Sequence, residues 1–202
     1  MKHSLFHAAA AAACLLAATA AQAANFTVSG QSRFHNDVVQ VDFTLTAAAI
    51  NVAVWTDSWL SGVNFDPMAA LWVAANGNHS LLTQVDDDDQ IGAGQGFYDA
   101  GFRFANLAAG QYRVTLVAAF NGAVGSLLSQ GFAYDGEAPI LLSQWNQPSY
   151  DPNLNNQKGG FWRLNFSNVD GVTVVPEPTA ALLMALGLAG LGMRAHRRQT
   201  GR

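Results

Sequence analysis

The sequence predicts an all-β protein: a single antiparallel β-sandwich, flanked by an N-terminal signal helix and a short C-terminal transmembrane helix. Three observations lead to this prediction. Apolar and polar residues alternate along many short segments, turn residues separate these segments at regular intervals, and no window between the two termini has a convincing helical period. Residues 24–173 carry the alternation and form the predicted sandwich, between a signal peptide at 1–23 and a distinct tail at 174–202.

The first residues have the features of a secretion signal. Lys2 and His3 form a basic start, and an apolar stretch runs from Leu5 to Thr19. A buried helix of the domain would need a polar face, and none exists before Gln22. We therefore expect export, with signal peptidase as a partner and cleavage at the small residues Ala21, Ala23 and Ala24.

The strands of the sandwich are predicted from a period of two. Val39, Val41 and Phe43 alternate with polar residues, as in a strand with one buried face. The same reasoning predicts strands in INVAVW, ALWVAA, SLLTQV, GFRFANL and QYRVTLVAA, and in the less regular SLLSQGFAY, APILLSQW and FWRLNF. Asn76-Gly77-Asn78 predicts a tight turn, because Asn and Gly accept positive φ. Residues 145–160, rich in Asn, Pro and Gly, predict a long surface loop.

The predicted domain is acidic and contains no thiol. Between Ala24 and Val175 the sequence has twelve aspartates and Glu137 but only five basic residues: Arg33, Arg103, Arg113, Lys158 and Arg163. Nucleic acid is excluded as a partner, because phosphate binding needs clustered Lys and Arg. The one cysteine, Cys14, lies inside the signal, so the exported chain has no disulfide.

One section of the domain, Asn64 to Ala119, resembles the bacterial pre-peptidase C-terminal domain. The likeness consists of Phe-Asp-Pro, a strand, an Asn-Gly turn, a second strand, an aspartate run, a variable loop and a Gly-x-Tyr that enters the next strand. It implies a small β-sandwich that acts as an accessory module, and several such modules bind calcium. The chain has no attached protease domain, so a role as a peptidase accessory does not carry over.

Four consecutive aspartates form the candidate metal site. Their like charges repel one another unless a cation or solvent screens them. Calcium accepts six to eight oxygens in flexible geometry, and Asp66 and Asp99 lie in loops that can join the run. The sequence leaves two interpretations open, a solvated acidic loop and a calcium site built from Asp66, Asp86, Asp87, Asp88, Asp89 and Asp99.

No catalytic residues are predicted. After the leader only His35, His79 and His196 remain, and nucleophile motifs are missing. A pair of glycosidase-like carboxylates stays open as a minor alternative, which would make the protein a secreted hydrolase. A carbohydrate-binding module is the main alternative, because Trp55, Trp59 and Trp145 fall beside loops where an indole can stack on a sugar ring.

The tail combines a proline motif, an apolar run and arginines. The run from Thr179 to Met193 is about fifteen residues long, whereas a spanning helix needs about twenty. It is therefore a marginal anchor, and the arginines behind it stay cytoplasmic by the positive-inside rule. A permanent C-terminal anchor remains the competing interpretation.

This tail resembles the PEP-CTERM sorting signal of Gram-negative bacteria that make exopolysaccharide. The resemblance rests on Pro176, Glu177 and Pro178, on the short apolar run, and on Arg194, Arg197 and Arg198. It implies a transient inner-membrane intermediate, cleavage near the prolines by an exosortase, and delivery to the cell surface or extracellular matrix. A structural or adhesive role in exopolysaccharide or biofilm is the expected function, with exopolysaccharide as a candidate partner.

Overall fold

The computed structural model of the protein describes residues 24–148 and 158–176. These ranges contain nine strands and three single-turn 3-10 segments. The strands are β1 Ala24–Gln31, β2 Val39–Leu45, β3 Ala49–Thr56, β4 Pro67–Ala75, β5 Asn78–Val85, β6 Gly101–Leu107, β7 Gly110–Ala118, β8 Phe161–Val169 and β9 Gly171–Val174. No helix in these ranges is long and apolar enough to cross a membrane. The predicted signal helix and C-terminal helix fall outside the described residues.

The strands form two antiparallel sheets. One has four strands in the order β1-β8-β3-β6, and the other has five in the order β5-β4-β7-β2-β9. Their facing sides share one core, in which the ring of Phe43 on β2 lies 5.8 Å from that of Phe166 on β8. The all-β prediction is confirmed as two packed antiparallel sheets.

Alternation along the strands explains the core. Val41, Phe43 and Leu45 of β2 are at most 3% exposed, while Asp42 and Thr44 between them point outward. A fully buried side chain of this size contributes about 1.5–3 kcal/mol relative to an exposed one. The period of two therefore selects which face of the strand turns inward.

Most predicted strands are confirmed, and two predictions are wrong. The segments from INVAVW to QYRVTLVAA lie in β3 to β7, and FWRLNF lies in β8. The Asn76–Gly77 turn is also confirmed, with φ of 51° and 78°. SLLSQGFAY and APILLSQW are not strands but 3-10 turns and isolated bridges. Strands β1 and β9 were not predicted.

The wrongly predicted segment SLLSQGFAY belongs to a long connection that covers the outer face of the five-stranded sheet. Phe132 and Leu128 pack there against Trp72, which is fully buried. The indole Nε1 of Trp72 donates to Thr115 Oγ1 at 2.9 Å. The apolar residues that resembled a strand are therefore used to cover a sheet instead of joining one.

The two ends of the sandwich differ in their connections. At one end the connections are short: 46–48, 76–77, 108–109 and residue 170. At the other end, called the loop end, they are long: 32–38, 57–66, 86–100 and 119–160, of which 149–157 lie outside the described residues. Strand β9 also finishes at the loop end, because Val174 pairs with Val41 near the start of β2. Every predicted metal ligand thus lies at the end from which the tail leaves.

Candidate functional site

The loop end brings three of the six predicted metal ligands together. Asp66 precedes β4, while Asp86 and Asp87 follow β5, its hydrogen-bonded neighbour. One carboxylate oxygen from each residue lies within 4.8 Å of the others. Because the start of β4 and the end of β5 meet at one sheet edge, the fold places these side chains side by side.

Burial makes it unfavourable for Asp66, Asp86 and Asp87, here called the trio, to be ionised together without a cation. Asp66 is 4% exposed, Asp86 is half-buried and Asp87 is exposed. Desolvation raises the pKa of Asp86, and desolvation together with the charge of Asp86 raises the pKa of Asp87 to about 6. Oδ1 of Asp86 is buried and accepts no hydrogen bond within the described part of the chain. A cation among these oxygens would offset both the desolvation and the repulsion.

The backbone of Asp66 is fixed by a buried glutamine that the sequence did not single out. Gln147 accepts a hydrogen bond from the Asp66 N–H at 2.9 Å. Its side-chain amide donates to the carbonyls of Asp66 and Ala119, at 2.9 and 3.1 Å. The side chain of Gln147 therefore pairs with both the N–H and the carbonyl of Asp66, as a residue of a neighbouring strand would, and positions Asp66.

The other three predicted ligands have different surroundings. Asp88 Oδ1 accepts from the Gln90 N–H at 3.0 Å, and Asp89 Oδ1 accepts from the Gln90 side chain. Asp99 is 1% exposed and its carboxylate binds the surrounding loops. The structure thus divides the aspartate run, with Asp86 and Asp87 facing Asp66 and the following two capping their own loop.

Asp99 joins two loops through four hydrogen bonds. Its Oδ1 accepts from the Thr56 hydroxyl at 2.7 Å and from the backbone N–H groups of Ser58 and Trp59 at 2.9 and 3.2 Å. Its Oδ2 accepts from the Gly96 N–H at 2.8 Å. A buried carboxylate with this many donors is already satisfied, which accounts for its burial without a metal ion.

The histidines of the described chain are far apart and do not form a catalytic pair. His35 is fully buried at the loop end, where its Nε2 lies 3.0 Å from Glu137 Oε2 and its Nδ1 accepts from the Ile140 N–H at 3.2 Å. His79 stands at the opposite end beside the β4–β5 turn, where burial and the charge of Arg113 lower its pKa.

The three tryptophans proposed for sugar stacking are largely occupied within the protein. Trp59 is 6% exposed and packs edge-on against Tyr98. Trp55 is half-buried and its Nε1 donates to the Ala93 carbonyl at 3.2 Å. Trp145 is half-buried with its ring 5.1 Å from that of His35. The ring of Trp59 is therefore covered by loop packing, whereas Trp55 and Trp145 keep part of their surface exposed.

The connection from the sandwich to the tail is very short. Strand β9 ends at Val174, and the Val175 N–H still donates to the Gln40 carbonyl at 2.9 Å. Pro176 follows directly. The other predicted sorting residues, Glu177, Pro178, Arg194, Arg197 and Arg198, lie outside the described residues, as do the signal-cleavage residues Ala21 and Ala23, whereas Ala24 begins β1.

The model of one protein family, the PEP-CTERM protein-sorting motif, matches residues 174–198. No curated protein matches the chain. The motif indicates an exported protein that an exosortase targets for sorting to the cell surface. The match begins at Val174, the last residue of β9, and covers no other part of the sandwich, so the resemblance of Asn64–Ala119 to the pre-peptidase C-terminal domain stays a prediction.

Proposed function

We propose that this protein is a structural or adhesive component of the cell surface or extracellular matrix, released from the inner membrane by an exosortase. The observation that carries the proposal is the position of the matched motif, which starts where the last strand of a complete sandwich ends. Cleavage near Pro176 would leave both sheets and their shared core intact. The delivered product is then a folded acidic domain without its tail.

Replacing Pro176-Glu177-Pro178 by three alanines tests the sorting step in the native host. The altered chain should accumulate in the inner membrane at its uncleaved length, while the unaltered chain appears at the surface or in the matrix. Thr173→Ala is the control, because Thr173 is exposed and lies just before the matched residues 174–198. Surface delivery of the triple-alanine chain would contradict the proposal.

Calcium is the proposed ligand of Asp66, Asp86 and Asp87. Three clustered carboxylates supply only part of the six to eight oxygens that calcium accepts. The remaining positions are open to water or to hydroxyl and carboxylate groups of an exopolysaccharide. A calcium ion here would also allow an acidic domain to bind an acidic glycan, which it otherwise repels.

Titration calorimetry on residues 24–176 distinguishes this site from a solvated acidic loop. Asp87→Asn should abolish or strongly weaken the calcium heat, whereas Asp89→Asn should preserve it, because Asp89 belongs to the same run but not to the trio. Equal loss in both variants would mean that only the net charge of the loop matters. The absence of heat in the unaltered protein would remove the calcium proposal.

A carbohydrate-binding module remains the second proposed function, and it would use the same β-sandwich. The internal packing of the three tryptophans makes glycan binding through calcium the more direct route. Binding of the producer's exopolysaccharide should then disappear in EDTA. If binding persists in EDTA but tryptophan fluorescence shifts, indole stacking carries it instead.

The protein is proposed to be non-catalytic. The raised pKa of Asp87 resembles that of a general acid, but a shallow cavity of about 430 Å³ lies at the opposite end of the sandwich, beside residues 46–51. A secreted hydrolase stays the minor alternative. Released sugars from a panel of polysaccharides, lost in Asp87→Asn, would support the hydrolase against the structural role.

A further inference from the structure

The loop end presents a group of exposed apolar side chains, here called the apolar patch: Leu60, Val63 and Phe97. They are 50%, 66% and 64% exposed. The Val63 N–H donates to the Leu60 carbonyl at 3.3 Å. Phe97 connects to the same loop through Tyr98, whose ring lies 4.9 Å from that of Phe97 and 5.1 Å from that of Trp59. Large apolar side chains grouped in this way on a surface are typical of a contact site.

The patch is held in place by hydrogen bonds. Asp99 binds both loops that carry it, and Lys158 Nζ donates to the Gly62 carbonyl at 2.8 Å. Leu60 and Ser61 adopt positive φ values of 50° and 56°. This conformation costs a non-glycine residue on the order of 1–3 kcal/mol, and the surrounding structure has to hold it in place. The chain therefore accepts backbone strain in a turn that exposes a leucine.

The tail leaves from the same end on a short tether. The Val175 N–H is bonded to β2, and the apolar run of the tail begins at Thr179. Four residues span at most about 14 Å when fully extended. While the apolar run is inserted in the inner membrane, the loop end must stay close to the membrane surface. This step rests on the sorting proposal above.

The exit point and the patch lie at opposite edges of the loop end. Strand β9, which leads to the tail, lies near β1, whereas the patch follows β3 and precedes β6 at the far edge of the four-stranded sheet. Three strand spacings separate β1 from β6, or about 14 Å. A sandwich standing with its loop end on a membrane would therefore touch it at two separated points.

We propose that the apolar patch contacts the phospholipid surface of the inner membrane and orients the tethered sandwich before the tail is cut. Partly buried apolar side chains in the headgroup region bind weakly, with an affinity that grows with the apolar area. The tether raises the local concentration of the membrane surface, so a weak contact is sufficient. The sandwich then stands with its loops against the bilayer and β9 beside it.

The charges at the loop end keep this contact dependent on the tether. Asp87 and Asp89 are exposed there and are repelled by anionic lipids, while Asp57 is paired with Arg163 at 2.6 Å. Once the tail is removed, the apolar patch alone is too small to hold an acidic domain on the bilayer. Release from the membrane then follows directly from cleavage.

Labelling on a single introduced cysteine tests the orientation, because the chain from Ala24 onward contains none. Phe97→Cys and Ile50→Cys are matched, since both side chains are about two-thirds exposed and they lie at opposite ends of the sandwich. Chains of residues 24–202 carrying a polarity-sensitive dye are inserted into phosphatidylcholine vesicles with a nitroxide on the headgroup. The two ends of a strand of this length are about 25 Å apart, beyond the reach of collisional quenching.

The label at position 97 should be quenched severalfold by the headgroup nitroxide and protected from aqueous iodide, with neither effect at position 50. Val63→Cys should behave like Phe97→Cys, which guards against a local disturbance by either substitution. Equal iodide access at positions 97 and 50 in chains that float with the vesicles would overturn the orientation and leave the sorting proposal intact. Chains that do not float with the vesicles would overturn both.

Discussion

The substitution Asp99→Asn tests whether the carboxylate of Asp99 joins two loops or binds a metal ion. The carboxylate accepts four hydrogen bonds, three of them from backbone N–H groups. An amide in its place turns an N–H₂ group toward at least one backbone donor, whichever way it is oriented. One buried N–H without an acceptor costs about 1–3 kcal/mol, and the remaining bonds lose their charge assistance. We expect the free energy of unfolding to fall by about 2–4 kcal/mol.

Urea unfolding of residues 24–176 in EDTA measures this loss. An unchanged m-value, the slope of the unfolding free energy against urea concentration, is the evidence that the fold is retained. Asp89→Asn, on the exposed side of the same loop system, should shift stability by no more than about 0.5 kcal/mol. The calcium heat of the Asp99→Asn protein should remain, because Asp99 is outside the trio. A variant as stable as the unaltered protein that fails to bind calcium would refute this division of roles.

Three further predictions concern the same end of the sandwich. Gln147→Ala leaves buried backbone groups without partners and should cost about 2–4 kcal/mol in urea unfolding, whereas exposed Gln144→Ala should be neutral. Without calcium, the Asp87 carboxyl binds its proton more tightly in the folded state, with a pKa of about 6 against an ordinary value of 3.8. Its contribution to stability is complete below the ordinary value and is lost as pH rises through 6, so the calcium-free Tm should rise on going from pH 7 to pH 5, and calcium should reverse this trend; a flat profile in Asp87→Asn identifies the group. His35→Ala opens a cavity between the rings of Tyr134 and Trp145 and should cost about 2–4 kcal/mol; an unchanged unfolding midpoint would mean that the 32–38 loop contributes no stability.

The strands could be predicted from the sequence wherever burial alternates. In β2 every second residue belongs to the core, so the two-residue period is visible in the amino-acid sequence. Strand β1 also alternates, but it is an edge strand whose only two large apolar residues, Phe26 and Val28, are partly buried, so its signal is weak. Strand β9 is only four residues long. SLLSQGFAY was misread because covering the outside of a sheet requires apolar residues just as joining a sheet does.

The candidate site could be predicted only in part, because its members come from distant parts of the chain. The sequence predicted that Asp66 joins the aspartate run, and the neighbouring strands β4 and β5 bring it beside Asp86 and Asp87. Three of the four hydrogen bonds to Asp99 come from residues 40 to 43 positions away, which no local pattern records. Gln147 supports Asp66 from 81 positions away and carries no signal of its own.

The apolar patch likewise could not be predicted from the sequence as one group of residues. Leu60, Val63 and Phe97 are scattered through two loops, and isolated apolar residues in loops are ordinary. Only the contact between the two loops, arranged around Asp99 and the rings of Trp59 and Tyr98, brings the segments that carry them together. Its position at the loop end, from which the tail also leaves, follows from the strand directions and not from any motif.

The most direct test of the account is the intact mass of the protein recovered from the surface or matrix of its native host. A chain that begins at Ala24 and ends near the Pro176-Glu177-Pro178 motif is the predicted result, and the full tail should be present when the exosortase is deleted. A surface-recovered chain that still carries the arginines after Met193 would contradict the account.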